Sequence, residues 1–287
     1  MARNDVKEKV DRLGALSQTL LLPLYFRARE SRRADGLLRD DEAVRLVERL
    51  DFDFSRLEGH TVTQVATALR VREIDRLTCR FLRERPEGVV VHLGCGLDTR
   101  FHRLDNGRAR WVDVDLPEVM DLRTRLLPPG PRVTPVAASV LDLSWVRRLP
   151  PAEPDAMLFV AEGLFPYLRE EEVRRVLGGL HRRFPGARLL FDAVSRLQAA
   201  WSDAHPVLRV LGVRFRWGLD RGADLERWLP GVRVLRESRY LDRFEPRLGP
   251  LWWITALPPV AEGFRVIECA LAAPGAAEKG GPRRPRG

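Results

Sequence analysis

An unbroken apolar run, Val89-Val90-Val91-His92-Leu93, passes directly into Gly94-Cys95-Gly96-Leu97-Asp98-Thr99. This junction constrains the chain more than any other feature. A strand that is apolar on both faces must be covered on both faces, and the glycines after it let a ligand approach the backbone at the strand's carboxyl end. A dinucleotide-binding turn needs a third glycine for close approach of a pyrophosphate, and Thr99 stands in its place. About 20 residues on, a second apolar run ends in Asp113-Val114-Asp115, where a carboxylate can accept both hydroxyls of a ribose. A glycine turn without a phosphate cradle, followed by a ribose-binding acid, describes a nucleoside that lacks a pyrophosphate. S-adenosylmethionine meets that description. An ordinary turn with solvated acids at a strand end is the plainer alternative.

The rest of the chain fits a sheet built around this strand. Gly88 to Leu93, Ala109 to Val114, Arg132 to Ala137, Ala156 to Ala161 and Ala187 to Ala193 are predicted strands. The helix Arg169 to Phe184 lies between the last two. This βαβ alternation predicts an α/β fold, a doubly wound and mostly parallel sheet. Two later runs, Val232 to Phe244 and Phe264 to Leu271, are expected to close it as an antiparallel edge. The first 85 residues read as a helical cap. Ser17 is placed to cap an apolar helix through Leu24, and Asp40 or Asp41 to cap Ala43 to Leu50. His60 to Arg85 reads as one amphipathic helix. The expected organisation is a cap over residues 1–85 and a core domain over 86–273, with a helical insertion near 195–230. The Gly/Pro/Ala-rich basic tail, 274–287, is expected to be disordered.

The order of several separate motifs makes the reading specific. Leu93-Gly94-Cys95-Gly96-Leu97-Asp98-Thr99-Arg100, Val112-Asp113-Val114-Asp115-Leu116-Pro117 and Ala161-Glu162-Gly163-Leu164-Phe165-Pro166-Tyr167-Leu168 occur in that order. Together they resemble the leucine carboxyl methyltransferase family. Ser17-Gln18-Thr19-Leu20 to Tyr25, Arg39-Asp40-Asp41-Glu42-Ala43 and Phe191-Asp192-Ala193 resemble its bacterial branch of polyketide-type O-methyltransferases. The resemblance implies the Rossmann-like class I methyltransferase fold and S-adenosylmethionine as cofactor. It implies that Arg70 grips the methionine carboxylate and that Gly94, Cys95 and Gly96 lie against the methionyl part, with Asp98 near the amino group. Asp115 matches the ribose-binding acid more closely than Asp113, which is left to support the loop. Ser139, Val140, Leu141 and Asp142 fall where the family contacts adenine. Relatives carry an acid where Ser139 stands, and Asp142 can equally be a helix N-cap. Glu162 matches a glutamate of the methionyl pocket, and an unpaired acid ending an apolar strand would be costly as core. Tyr167 is a candidate for orienting the acceptor or for packing its ring. His92 reads as a core histidine.

Of 49 basic residues only Lys7, Lys9 and Lys279 are lysine, and the net charge is +9. The arginines alternate with acids as on solvated helix faces, so the charge suits an anionic small molecule better than nucleic acid. Cys79, Cys95 and Cys269 are odd in number and without CxxC spacing, which predicts neither disulfide scaffold nor metal site. The charged opening, Met1 to Asp11, lacks the apolar core of a secretory signal. Leu20 to Phe26 is broken by Pro23 and far shorter than a membrane span. A cytoplasmic enzyme without membrane partner is expected.

Methyl transfer from a sulfonium is an in-line displacement. A carboxylate acceptor is already ionised at pH 7, whereas a phenol needs a base. His60, His102, His181 and His205 stand in no motif, which favours a carboxylate. The arginines Arg27, Arg29, Arg32 and Arg33 are candidates to attract it. Methylation of a protein C-terminus and a non-catalytic nucleoside-binding module are the alternative functions.

Overall fold

The computed structural model describes residues 7–241 and 245–272. The tail at 274–287 and the end of the expected run to Phe244 lie outside the described residues. Seven strands form the main sheet: β1 (Val89–Leu93), β2 (Arg110–Asp115), β3 (Val133–Ala137), β4 (Met157–Ala161), β5 (Arg188–Val194), β6 (Val232–Arg239) and β7 (Phe264–Leu271). Their spatial order is β3-β2-β1-β4-β5-β7-β6. The first five are parallel, and β7 runs antiparallel between β5 and β6. After β3 the chain returns to pair β4 with the free side of β1. That reversal opens a crevice at the carboxyl ends of β1 and β4, where doubly wound sheets bind ligands.

Side-chain alternation explains the two covered faces. Val89, Val91 and Leu93 of β1, with Met157, Phe159 and Ala161 of β4, pack with Val173, Val176, Leu177 and Leu180 of the helix Glu170–Arg183. Val90, Leu158, Val160 and Leu190 face the opposite way onto Ile74, Leu77 and Phe81. Those three belong to the helix Thr61–Glu84, whose 24 residues extend about 36 Å. Both faces being apolar, the strands carry no polar alternation.

Two more helices come from the cap, and the first lines the crevice with Leu22, Pro23, Phe26 and Arg27. Leu21–Ser31 packs Leu21, Leu24 and Ala28 against Leu97, Val119 and Leu122 of the core. Asp41–Arg49 is capped by Asp40, which accepts from Ala43 N at 3.0 Å. Ser17 is not a cap. It opens a 3-10 turn, Ser17–Leu20, and its hydroxyl reaches Glu118 at 3.4 Å; the α-helix then starts at Leu21 and runs well past Leu24. The expected insertion consists of short helices, Arg196–Ala200, Pro206–Leu211 and Ala223–Trp228. Val207 and Leu211 pack on Leu22, Tyr25 and Phe26, so the insertion and the first helix close over the crevice together. No helix among the described residues is long and apolar enough to cross a membrane.

Candidate active site

A cavity of about 990 Å³ occupies the crevice. Arg70, Gly94, Cys95, Gly96, Asp98, Asp115, Ser139, Val140, Leu141, Glu162 and Tyr167 all line it. Asp142 does not. It is exposed and caps the 3-10 turn Leu143–Arg148, accepting from Ser144 N at 3.0 Å and Ser144 Oγ at 2.9 Å. Of its two readings the cap is the one the geometry realises.

The glycine loop is held rigidly. Gly94 and Gly96 have φ of +64° and +49°, the left-handed region where a Cβ is penalised. A Cβ on Gly94 would stand 3.0 Å from Leu164 Cδ1, and one on Gly96 3.0 Å from Leu20 Cβ. Gly94 N and Cys95 N donate to Val114 O at 2.8 and 3.2 Å. Gly96 N donates to Asp115 Oδ2 at 2.7 Å, and Leu116 N to Asp115 Oδ1 at 2.7 Å. Two backbone donors thus orient the Asp115 carboxylate and leave further lone pairs facing the cavity. Burial, only partly offset by those two donors, pushes its pKa up to about 6.

Asp113 does support the loop, through a residue the motifs did not single out. It pairs with the buried Arg123 at 2.7 Å, whose guanidinium donates to Gly96 O at 2.9 Å and Asp98 O at 2.7 Å. From the cap, Arg27 donates to Leu97 O at 3.0 Å and pairs with Asp40 at 2.8 Å. Asp40 also takes Thr99 Oγ1 at 2.5 Å and Arg103 at 2.9 Å. Arg27 is therefore no solvated acid-attracting arginine: it is 2% exposed because the Asp40 carboxylate compensates it. Arg32 and Arg33 pair on the surface with Glu48 and Asp35, and Arg29 lies over the Tyr25 ring.

Beneath the cavity lies a network of alternating charges. Glu162 takes Arg70 Nε at 3.1 Å and Arg100 Nη2. Arg70 also reaches Asp192 at 3.3 Å, and Asp192 accepts from Gly163 N at 2.5 Å. Arg100, 1% exposed, further pairs with Asp75 at 2.7 Å and Asp98 at 2.9 Å. Burial alone would raise the Glu162 carboxyl, but Arg70 and Arg100 outweigh it and hold the pKa below its usual range. The same contest, won by Arg100 and Arg103, holds Asp98 well below the ordinary carboxylate. Both Asp98 oxygens are thus already engaged by arginine. His92 packs beneath, with burial pushing its pKa down to about 4; it is a neutral core histidine. Tyr167 sits 5.3 Å from the Phe215 ring, and burial raises its phenol. Its hydroxyl stays protonated and can donate.

Arg100, Asp75 and Asp192 were not among the expected site residues. Asp192 was legible as an acid inside the apolar strand Arg188–Val194; the others lie on helices where arginine–acid alternation looks like a solvated face. His205 was weighed only as a remaining histidine. It lines the cavity from the insertion, its Nδ1 enclosed without a hydrogen-bond partner among the described residues. Burial, then the neighbouring His60, lowers its pKa, so it is neutral at pH 7.

The crevice at the β1/β4 reversal, the glycine loop and the backbone-held acid at the end of β2 define an S-adenosylmethionine-dependent methyltransferase. The leucine carboxyl methyltransferase model matches residues 21–181. The chain belongs to that family. It is 37% identical over 232 residues, 80% of this chain and 85% of the relative, to the tetracenomycin polyketide synthesis O-methyltransferase TcmP of Streptomyces glaucescens. It is 31% identical over 289 residues, 91% and 94% of the two chains, to the S-adenosyl-L-methionine-dependent methyltransferase dpfgK of Gibberella zeae. Among solved structures, a DUF574 family protein from Streptomyces avermitilis superposes with a TM-score of 0.58, and a Thermobifida fusca protein described as a methyltransferase with 0.55. These cover 88% of this chain and 96% and 95% of theirs, at 13% and 18% identity, and show the fold alone. The chain is an S-adenosylmethionine-dependent O-methyltransferase.

Proposed function

We propose that the protein methylates a carboxylate oxygen of a small anionic metabolite, an aromatic or polyketide-like acid. The observation that carries this is the state of the groups around the cavity. The cavity acids Asp98, Glu162 and Asp192 are bound to arginine, Tyr167 is held protonated, and burial pushes the pKa of His92 down to about 4, which makes it a weak proton acceptor. A nucleophile that arrives ionised needs no proton removed; a phenol would.

The residues present fit S-adenosylmethionine. Asp115, oriented by two backbone N–H groups, would hold the ribose hydroxyls, and Ser139, Val140 and Leu141 would flank the adenine. Gly94, Cys95 and Gly96 would lie against the methionyl part, where a Cβ on either glycine would crowd Leu164 or Leu20 at 3.0 Å. Arg70 keeps its side chain 18% exposed and would present a fork to the methionine carboxylate. Glu162 holds Arg70 in place and adds negative potential near the cationic end. When bound, the cofactor supplies an electrophilic methyl on sulfur. The protein's part is alignment and exclusion of water: Leu20, Leu22 and Phe215 close the cavity, and Tyr167 O–H can donate to the acceptor.

His205 supports a second reading, a hydroxyl acceptor. A neutral imidazole on the cavity wall can take a phenolic proton, a contribution of roughly 10²–10⁴ in rate. The experiment is methyl transfer at saturating cofactor to paired aromatic acids and phenols between pH 5 and 9, with His205→Gln. The carboxylate reading expects esters as products, a rate flat above pH 6 and turnover surviving the substitution. Phenol ethers as sole products, with turnover lost in His205→Gln, overturn it.

A further inference from the structure

The cavity is electrically polarised. Four carboxylates, Asp98, Asp115, Glu162 and Asp192, stand at its inner end, with the lining arginines Arg27 and Arg70 already paired. The part of its wall formed by residues 203–216 of the insertion carries Arg209, Arg214 and Arg216 against the single acid Asp203. Arg214 pairs with that acid at 3.6 Å. Arg209 and Arg216 have no carboxylate partner among the described residues and are exposed at the mouth. Interleaved with these arginines on the same wall are apolar and aromatic side chains, Val207, Leu208, Val213 and Phe215, with the Tyr167 ring set against Phe215 at 62°.

We propose that this wall is an acceptor subsite in which Arg209 and Arg216 bind an anionic group remote from the oxygen that is methylated. The preferred acceptor is then a flat apolar body bearing an acid at each end. This rests on the O-methyl transfer reading above. The transferred methyl belongs at the glycine loop, because that is where the nucleoside fits, whereas the two free guanidinium groups are exposed on the insertion, among its apolar side chains. A guanidinium on the reacting carboxylate would also stabilise its ground state and slow attack; one on a distant acid holds the body in line without that cost. The positive mouth further draws anions in from solution, an effect that salt screens.

The test titrates the full chain, saturated with S-adenosylhomocysteine, with a naphthalene dicarboxylate and with the matching monocarboxylate. The expected result is binding of the dicarboxylate about tenfold tighter at low salt, worth about 1.4 kcal/mol. That ratio falls at least threefold in Arg209→Gln/Arg216→Gln, and also falls in the unaltered protein as salt is raised. Equal binding of the two probes, a preference that persists in the double variant, or no binding of either while S-adenosylhomocysteine binds, each overturns the subsite alone. If S-adenosylhomocysteine itself fails to bind, the methyl-transfer reading falls as well.

Discussion

Arg123 lets the fold and the site be tested by one substitution. Its guanidinium is buried, pairs with Asp113 at 2.7 Å and caps two loop carbonyls, Gly96 O and Asp98 O. Arg123→Met keeps much of the side-chain volume and removes the charge. Asp113, its side chain 5% exposed, is then stranded. Breaking a buried pair from one side costs about 3–5 kcal/mol, and each freed carbonyl adds about 1 kcal/mol if water reaches it poorly. A loss of about 5–7 kcal/mol is a large share of the roughly 5–15 kcal/mol a folded domain has. Adding Asp113→Asn removes the stranded charge, so the double variant should be more stable than Arg123→Met alone by about 2 kcal/mol. Both are read by urea unfolding. S-adenosylhomocysteine affinity, read by calorimetry on the double variant, should stay at least about tenfold below the unaltered protein, because the loop has lost its clamp while the charge problem is solved. The reasoning is refuted if Arg123→Met unfolds at the unaltered urea midpoint, if Asp113→Asn gives no recovery, or if the double variant binds the nucleoside normally.

Asp115→Ala should weaken S-adenosylhomocysteine at least about tenfold, measured by calorimetry, with the fold retained. In the free protein Asp115 titrates near 6, above its unfolded value, because burial favours its neutral form. Its contribution to stability is therefore greatest at low pH and falls as pH rises from about 4 to 6. Nucleoside affinity runs the opposite way: if only the ionised form accepts the ribose, affinity drops up to about tenfold per pH unit below 6, and Asp115→Asn should abolish that slope. Gly96→Ala forces a Cβ at φ +49° against Leu20, about 1–2 kcal/mol of backbone strain; a lower melting temperature together with weaker nucleoside binding is expected in thermal shift assays. Arg70→Ala should raise the KM for S-adenosylmethionine at least about tenfold, leaving Glu162 and Asp192 to share Arg100 and a backbone N–H; an unchanged KM would remove Arg70 from the methionine end.

The parallel strands were legible because each is a short apolar run bounded by turn residues. Val89–Leu93 and Met157–Ala161 begin within a residue of their expected limits. The long helix was legible from its spacing and lies at Thr61–Glu84. The lining of the cavity was legible where chemistry and backbone geometry sit in one contiguous segment, as at Gly94-Cys95-Gly96 and Asp115. It was not legible where function depends on partners brought together from distant elements. Arg27 looked like one more surface arginine until Asp40, from another helix, buried it. Arg100 joins Asp75, Asp98 and Glu162 across three elements, and nothing in the spacing announces that meeting. Ser17 has the right type for a cap, but Leu20 and Leu21 are drawn onto the loop beside Gly96, and the chain enters through a 3-10 turn instead. Asp142 satisfied two local readings at once; only the direction of its side chain, toward Ser144, separates them.

A crystal structure with S-adenosylhomocysteine bound bears on the account most directly. Both ribose hydroxyls are expected within hydrogen-bond distance of Asp115, with the sulfur beside the Gly94–Gly96 backbone. A nucleoside seated away from that loop, or Asp115 turned from the sugar, would contradict it.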